Sequence, residues 1–314
     1  MASPRFGIDL ITFFNPTFWG VSEESDVVAL GQARPRMFWD TMLDAIAESG
    51  ITGLELTFAP FDWRGTIAAY GSAMAFRAEL DRRGLAVASG FFADVAISGD
   101  VLDPAQQSQY FADAADYADY LVATGAATMA MGLPMRASWA ADPAFIVDLA
   151  YVSQVADFCN RLGAMLRRRG VRLALHTEAH STFSFARDVD LLMTLTDPVY
   201  VGFCPDTAQL LVMGADPMAI TRRYGDRVIL THWKDATGPM SHDLVIDETI
   251  HVQHRAYFCP IGSGRIDWPR WIRLLREIGY DGWAILEIDA VADPRGAIVA
   301  SLDYVWSSLA AIHA

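Results

Sequence analysis

Cysteine is scarce in this chain of 314 residues: Cys159, Cys204 and Cys259 form no C-x-x-C pair and leave an odd count. That usage indicates neither a disulfide framework nor a structural zinc cluster, and it fits a reducing, cytoplasmic setting. Basic residues are few as well. With 24 Lys+Arg against 38 Asp+Glu and a formal net charge of −14, the chain lacks the broad positive surface that displaces counterions from phosphates, so nucleic acid is not an expected partner. No segment approaches the roughly 18 uninterrupted apolar residues of a spanning helix. The opening MASPRFGIDLITFF also lacks the charged start, long apolar stretch and small-residue cleavage site of a secretion signal. No membrane association is expected. A glycine-rich phosphate turn is absent too: the segment after the first apolar run reads FFNPTFWG, which argues against a doubly wound dinucleotide-binding sheet.

What is present is an alternation. Short apolar runs at 6–12, 51–57, 85–92, 127–133, 171–177, 200–204, 227–232 and 283–288 read as strands. Helical patterns lie between and after them at 36–49, 66–83, 104–124, 143–169, 186–195, 216–224, 268–279 and 294–311, with starts expected at Asp142-Pro143 and at Asp267 before Trp268-Pro269. Eight β–α alternations predict a single closed (β/α)8 TIM barrel over 1–314. Two connections, 13–35 and 235–266, exceed the usual length and follow strands, so both belong to the C-terminal face where this architecture builds active sites. The first carries Phe13, Phe14, Phe18 and Trp19, suited to a pocket wall or a subunit contact. Gly262 and Gly264 in PIGSGRIDW read as a turn.

Four polar residues end successive apolar runs: Glu178 in LALHTEAH, Asp206 in VGFCPD, His232 in VILTHWKD and Glu287 in WAILEID. Singly, each is a plausible loop acceptor or helix cap. Together they place three carboxylates and an imidazole at one end of neighbouring parallel strands, where the carboxylates stay ionised only beside a cation. One nitrogen and three oxygens suit Mn2+ best, with Mg2+, Co2+, Fe2+ or Zn2+ also admissible. Cys204, two residues before Asp206, reads as a buried strand residue. Strand alternation puts His176, Glu178 and His180 on one face. An imidazole beside a bound divalent ion is a natural general base. His176 is therefore assigned as catalytic base. Lys234 is assigned as a donor to a substrate oxygen or a ligand-positioning group, against the alternative of an ion pair with Asp235 or another loop carboxylate. His180, His254, Glu55 and Trp19 are expected to contact substrate; His251 and His254 are candidates to deliver a proton to a leaving group, against the preferred alternative that at least one of them is only a surface residue.

The segments GIDL, THWKD and GRIDWPRWIRLLREIGYDGWAILEID resemble the xylose-isomerase-like barrels of the sugar phosphate isomerase/epimerase superfamily over nearly the whole chain, and the last is similar to the ending of inosose dehydratases and sugar epimerases. The resemblance implies one divalent ion on Glu178, Asp206, His232 and Glu287. It carries two departures. His176 stands where relatives often have the first metal Glu, so either His176 binds the ion or Glu178 binds from two residues further on; Glu178 is preferred. Gln209 replaces the His of D-T-x-H, which removes a ligand of the multi-zinc DNA-repair endonucleases of this fold. The opening GIDLITFFNPTFWG and HTEAH are most similar to the larger subunit of C-glycoside deglycosidases. That implies a lyase acting on 3-keto-C-glycosides, with His176 as acid/base and a smaller β subunit as partner. The alternatives are a keto-cyclitol (inosose) dehydratase, a keto-sugar isomerase or epimerase, and a non-catalytic sugar-binding or structural subunit.

Overall fold

The computed structural model describes residues 5–98, 100–136, 142, 144–247 and 249–313. Eight parallel strands form one sheet: β1 (Arg5–Asp9), β2 (Gly53–Leu56), β3 (Ala86–Phe92), β4 (Thr128–Met131), β5 (Arg172–His176), β6 (Val201–Cys204), β7 (Thr231–Trp233) and β10 (Trp283–Leu286). Their order, β6-β5-β4-β3-β2-β1-β10-β7, brings β6 back beside β7. That seam is held by isolated parallel bridges at Phe203–Val228 and Asp206–His232, so the sheet closes as a (β/α)8 barrel with helices outside. Between β7 and β10 the two-residue strands β8 (Asp235–Ala236) and β9 (Phe258–Cys259) pair antiparallel.

Alternation along the strands decides what enters the barrel. Ala88, Ala130, Ala174, Cys204, Leu230 and Ile285 form one buried cluster inside it, while their neighbours, such as Leu173, Leu175 and Phe203, join the larger core between sheet and helices. Two residues further along, on the same face and nearer the C-terminal rim, stand His176, Asp206, His232 and Glu287. The strand period therefore places these four in one layer above an apolar plug.

The helices fall where expected, with instructive differences. The run expected at 66–83 is two helices, Trp63–Tyr70 and Ala73–Arg83, because Gly71 takes φ 85° and the Ser72 hydroxyl then caps the second by accepting from the Ala75 N–H at 3.2 Å. The helix expected from Asp142-Pro143 begins at Leu149, capped by Asp148, whose carboxylate accepts from Tyr151; Pro143 lies outside the described residues. The long connection 13–35 is largely helical, with Pro16–Trp19 and Glu24–Ala33. Its second helix starts with a capping box, Asp26 accepting from the Glu23 N–H at 3.1 Å. The other long connection carries the helix Ile250–Arg255. An ion pair of Arg255 with Glu24 ties the two together. No helix among the described residues is long and apolar enough to cross a membrane.

Candidate active site

Each rim residue is positioned by its own strand end. The Asp206 N–H donates to the Thr177 hydroxyl at 2.9 Å, and Asp206 Oδ1 caps the helix Thr207–Val212 by accepting from the Gln209 N–H at 2.8 Å. Its other oxygen is buried with no hydrogen-bond partner, so the residue is a cap and a free ligand atom at once. His232 Nδ1 meets Glu287 Oε2 at 2.8 Å. On the other side, His232 Nε2 and Glu55 Oε2 stand 2.8 Å apart without the alignment of a hydrogen bond, and both atoms are left without partners. Both ring nitrogens of His176 are buried and unpartnered, with Nδ1 3.6 Å from Glu178 Oε2 and Nε2 3.7 Å from Asp206 Oδ2. Glu178 is held by the Gln209 side-chain amide, which donates to Oε1 at 2.8 Å.

Unpaired buried polar atoms are costly, and here they converge. One ligand atom from each of His176, Asp206, His232 and Glu287 lies within 4.8 Å of the others. Glu178 is not in that set; it groups instead with His251 and His254 at the same spacing, immediately across from His176. The charges point the same way. Burial, followed by the charge of Glu287, pushes Asp206 up to about 7; burial pushes Glu178 up to about 8 and Asp289 up to about 6. Burial together with Glu287 and Glu55 raises Asp9 well above the carboxylate range. Carboxylates that must take up protons to sit together fit a cation that would let them ionise.

Lys234 is the sole lysine in the sequence, and it is buried. Its ammonium lies 2.6 Å from Glu287 Oε1 and 2.8 Å from Asp289 Oδ1, above the Phe258 ring at 3.9 Å. Burial opposes its charge, but Asp289 and Glu287 outweigh that and hold the amine well above its ordinary value. Glu287 in turn stays ionised: burial is overcome by the Lys234 ammonium and by His232. Of the alternative, an ion pair with Asp235 or another loop carboxylate, the second form is present, with Asp289 as the partner in place of Asp235. Asp235 points away and accepts from the backbone N–H groups of Gly262, Gly264 and Ile266 and from the Trp268 indole. His176 goes the other way. Burial, then the neighbouring His232, lowers it to about 3, so its ring is neutral.

A cavity of about 320 Å³ opens over this layer. Its polar lining includes His176, Glu178, Lys234, Glu287, His251 and His254. Its apolar lining includes Phe14, Phe58, Phe91, Ile97, Met135 and Phe258, with Phe91 against His176 and Phe258 under Lys234. Of the aromatics in the first long connection, only Phe14 reaches the cavity. Phe13 is core, and Trp19 stacks on Phe38 at 4.0 Å while its indole donates to the Phe13 carbonyl. Glu55 is fully buried beneath His232, accepting from the Ser89 hydroxyl at 2.6 Å, and is not on the cavity wall. Asp9 and Asp289 were not singled out in the sequence, although each sits at a strand end as Glu287 does. Lys234 had a stronger signal than its motif: it is the one lysine in a chain whose other cationic side chains are all arginine.

A model of the xylose isomerase-like TIM barrel family matches residues 43–307. The chain belongs to that family. Among curated proteins it is similar to the inosose dehydratase of Lacticaseibacillus casei, 33% identical over 153 residues, which is 46% of this chain and 48% of that protein. The chain thus spans about half the length of the curated relatives it matches. Among solved structures it superposes on 3-keto-D-glucoside 4-epimerase from E. coli with a TM-score of 0.69 at 15% identity, covering 97% of this chain and 100% of that one. It also superposes on the IolI protein with a bound zinc atom, with a TM-score of 0.67 at 12% identity, covering 98% and 97%. These two likenesses bear on the fold.

Proposed function

We propose that this family member removes the proton α to the ketone of a keto-sugar or keto-cyclitol. It then eliminates the β substituent, as a dehydratase does, or returns the proton, as an epimerase or isomerase does. The observation that carries the reading is the presence, in the lining of one cavity, of a neutral imidazole with unpartnered nitrogens and a buried ammonium. Asp206, His232 and Glu287 are assigned as three of the ion's ligands, and Glu178 as the fourth on the sequence pattern, which gives one nitrogen and three oxygens and suits Mn2+; the competing fourth ligand is His176, whose ring nitrogen shares their spacing. When bound, a divalent ion supplies positive charge that stabilises an enediolate.

His176 takes the α proton, its ring kept in the accepting form by burial. Lys234, oriented by Glu287 and Asp289, donates a hydrogen bond to the oxygen on which negative charge develops. Gln209 fixes Glu178 through its amide. In the elimination, the electron pair of the broken C–H bond forms the carbon–carbon double bond, and the β substituent departs with its bonding pair. The proton held by His176 is then available to it. The apolar lining of Phe14, Phe58, Phe91, Ile97, Met135 and Phe258 supports a second, narrower reading, in which the departing group is the aromatic aglycone of a 3-keto-C-glycoside and a smaller β subunit completes the enzyme. The relatives named inosose dehydratase support the keto-cyclitol reading.

The test is exchange of the α proton in deuterated water. Protein loaded with Mn2+ is given inosose and 3-keto-glucosides, alone and after co-purification with any co-expressed smaller subunit. Metal-dependent exchange or elimination is expected with at least one of them. Absence of both with all of them overturns the dehydratase and glycoside readings.

A further inference from the structure

Glu178 belongs to a second group of donors that the reaction above leaves unused. The second long connection carries His251 and His254 on the helix Ile250–Arg255, three residues apart and therefore on one face of it. Both line the cavity, and a ring nitrogen of each lies within 4.8 Å of the other and of a Glu178 oxygen. Each part of the group is held from outside it. The Gln209 amide donates to Glu178 Oε1 at 2.8 Å. His254 is buried, and the His180 ring stacks on it at 5.0 Å and 16°, with ring nitrogens 2.8 Å apart. His180, expected to contact substrate, is not part of the cavity lining; it supports His254 instead. The helix is pinned by the buried Ile250 and by the ion pair of Arg255 with Glu24. His251 is exposed and leaves the group open on one side.

The donor set differs in kind from the one beside it. Two imidazoles and a carboxylate with one side open make the three-ligand arrangement of an accessible zinc site, whereas Asp206, Glu287 and their neighbours offer mostly oxygen. The two groups adjoin, since Glu178 Oε2 stands 3.6 Å from His176 Nδ1. A carboxylate has two accepting oxygens, so Glu178, assigned above to the first ion on the sequence pattern, is able to bridge from that ion to a second, as carboxylates do in two-metal centres. Nor do the neighbouring cations stand in the way: Lys234 is paired with Glu287 and Asp289, and Arg255 with Glu24. We propose that Glu178, His251 and His254 form a second divalent-metal site, suited to a borderline ion such as Zn2+ or Co2+, with its open coordination position toward the cavity. The second ion is brought by the long connection after β7, so it depends on that segment being seated on the barrel. An ion there gives the cavity a second point of attachment for a substrate oxygen. The site does not rest on the keto-sugar reading.

The experiment is equilibrium dialysis of the metal-stripped full chain against Co2+. Bound metal is counted by elemental analysis, and coordination is read from the visible absorption of the Co2+ protein. Two ions per chain are expected. His251→Ala changes an exposed side chain, so the fold should be kept, which circular dichroism checks. It is expected to retain one ion and to weaken uptake of the other by more than about 100-fold, beyond the loss usual for an outer-shell change. Asp206→Asn is expected to do the reverse, weakening the first ion while the visible bands that vanish in His251→Ala persist. One ion per chain in the unchanged protein overturns the proposal, as does a second ion whose affinity is the same in His251→Ala. Because no turnover is measured, failure of the reaction proposed above would leave these counts as they are, and a count of one would leave that reaction standing.

Discussion

Replacing Asp235 tests how the second long connection is held over the cavity. Its carboxylate is fully buried. Oδ2 accepts from the Gly262 N–H at 2.9 Å, the Gly264 N–H at 3.1 Å and the Trp268 indole at 2.9 Å, and Oδ1 accepts from the Ile266 N–H at 3.1 Å. Alanine would orphan these four donors. At roughly 1–3 kcal/mol for each stranded buried group, the nominal sum exceeds what a single site delivers, because the segment shifts and water enters. A loss of about 3–5 kcal/mol, the range for breaking a buried charged network, is the working figure. Asparagine keeps one accepting oxygen and turns an NH2 toward N–H groups, so it should cost about 2–4 kcal/mol. Gly264→Ala reaches the same network by steric means. A Cβ there would lie 2.2 Å from Asp235 Oδ1 and 2.5 Å from the Ala236 carbonyl oxygen, neither of which can retreat without breaking its bonds. Urea unfolding followed by tryptophan fluorescence measures all three. A loss below about 1 kcal/mol for Asp235→Ala would show that the four bonds contribute little net stability and would refute this account of the loop.

Further outcomes follow from the site. His176→Ala should cut turnover by about 10²–10⁴, the usual worth of a general base, while metal analysis shows the ion retained; loss of the ion instead would make His176 the ligand and pass the base to Glu178. Ion binding should weaken as pH falls. Protons must leave Asp206, near 7, and Glu178, near 8, so affinity measured by competition with a chelator should drop by roughly two to three orders of magnitude from pH 8 to pH 6, and a flat profile would be contrary. Lys234→Met should destabilise the fold by about 3–5 kcal/mol, by stranding Glu287 and Asp289. As the only lysine, Lys234 should also resist amine-reactive reagents in the native protein and react once unfolded. Rapid native labelling at that residue, read by mass spectrometry, would contradict its burial.

The barrel was legible because strand alternation and the βα rhythm are local signals. All eight apolar runs are barrel strands, and the residues ending them share a layer because each lies two positions past a plug residue such as Ala174 or Ile285. The same period could not separate His176 from Glu178: both lie on one strand face, and which layer meets an ion depends on where β5 ends relative to β6. The helix Glu24–Ala33 was hidden because few of its residues are buried, only Val27 and Gly31, which leaves little amphipathic pattern to read. The apolar lining was unreadable for a different reason. Phe14, Phe58, Phe91, Ile97, Met135 and Phe258 come from strand β3 and several separate connections and share no spacing. GSGRIDW opens in the expected turn, and its glycines also give backbone N–H groups a close approach to a carboxylate of the HWKD segment.

The seam between β6 and β7 has a mechanical consequence. Elsewhere the cylinder is zipped by ladders of three or more residue pairs, but here two isolated bridges do the joining, and one of them is Asp206 against His232. Those same two side chains are assigned to the ion, one from each lip of the gap. Loading the ion would therefore rivet the weakest join in the wall. Stripping it should make the amides of β6 and β7 exchange with solvent before those of β3 and β4, so that the state of the reaction centre can be read from the backbone without any substrate present.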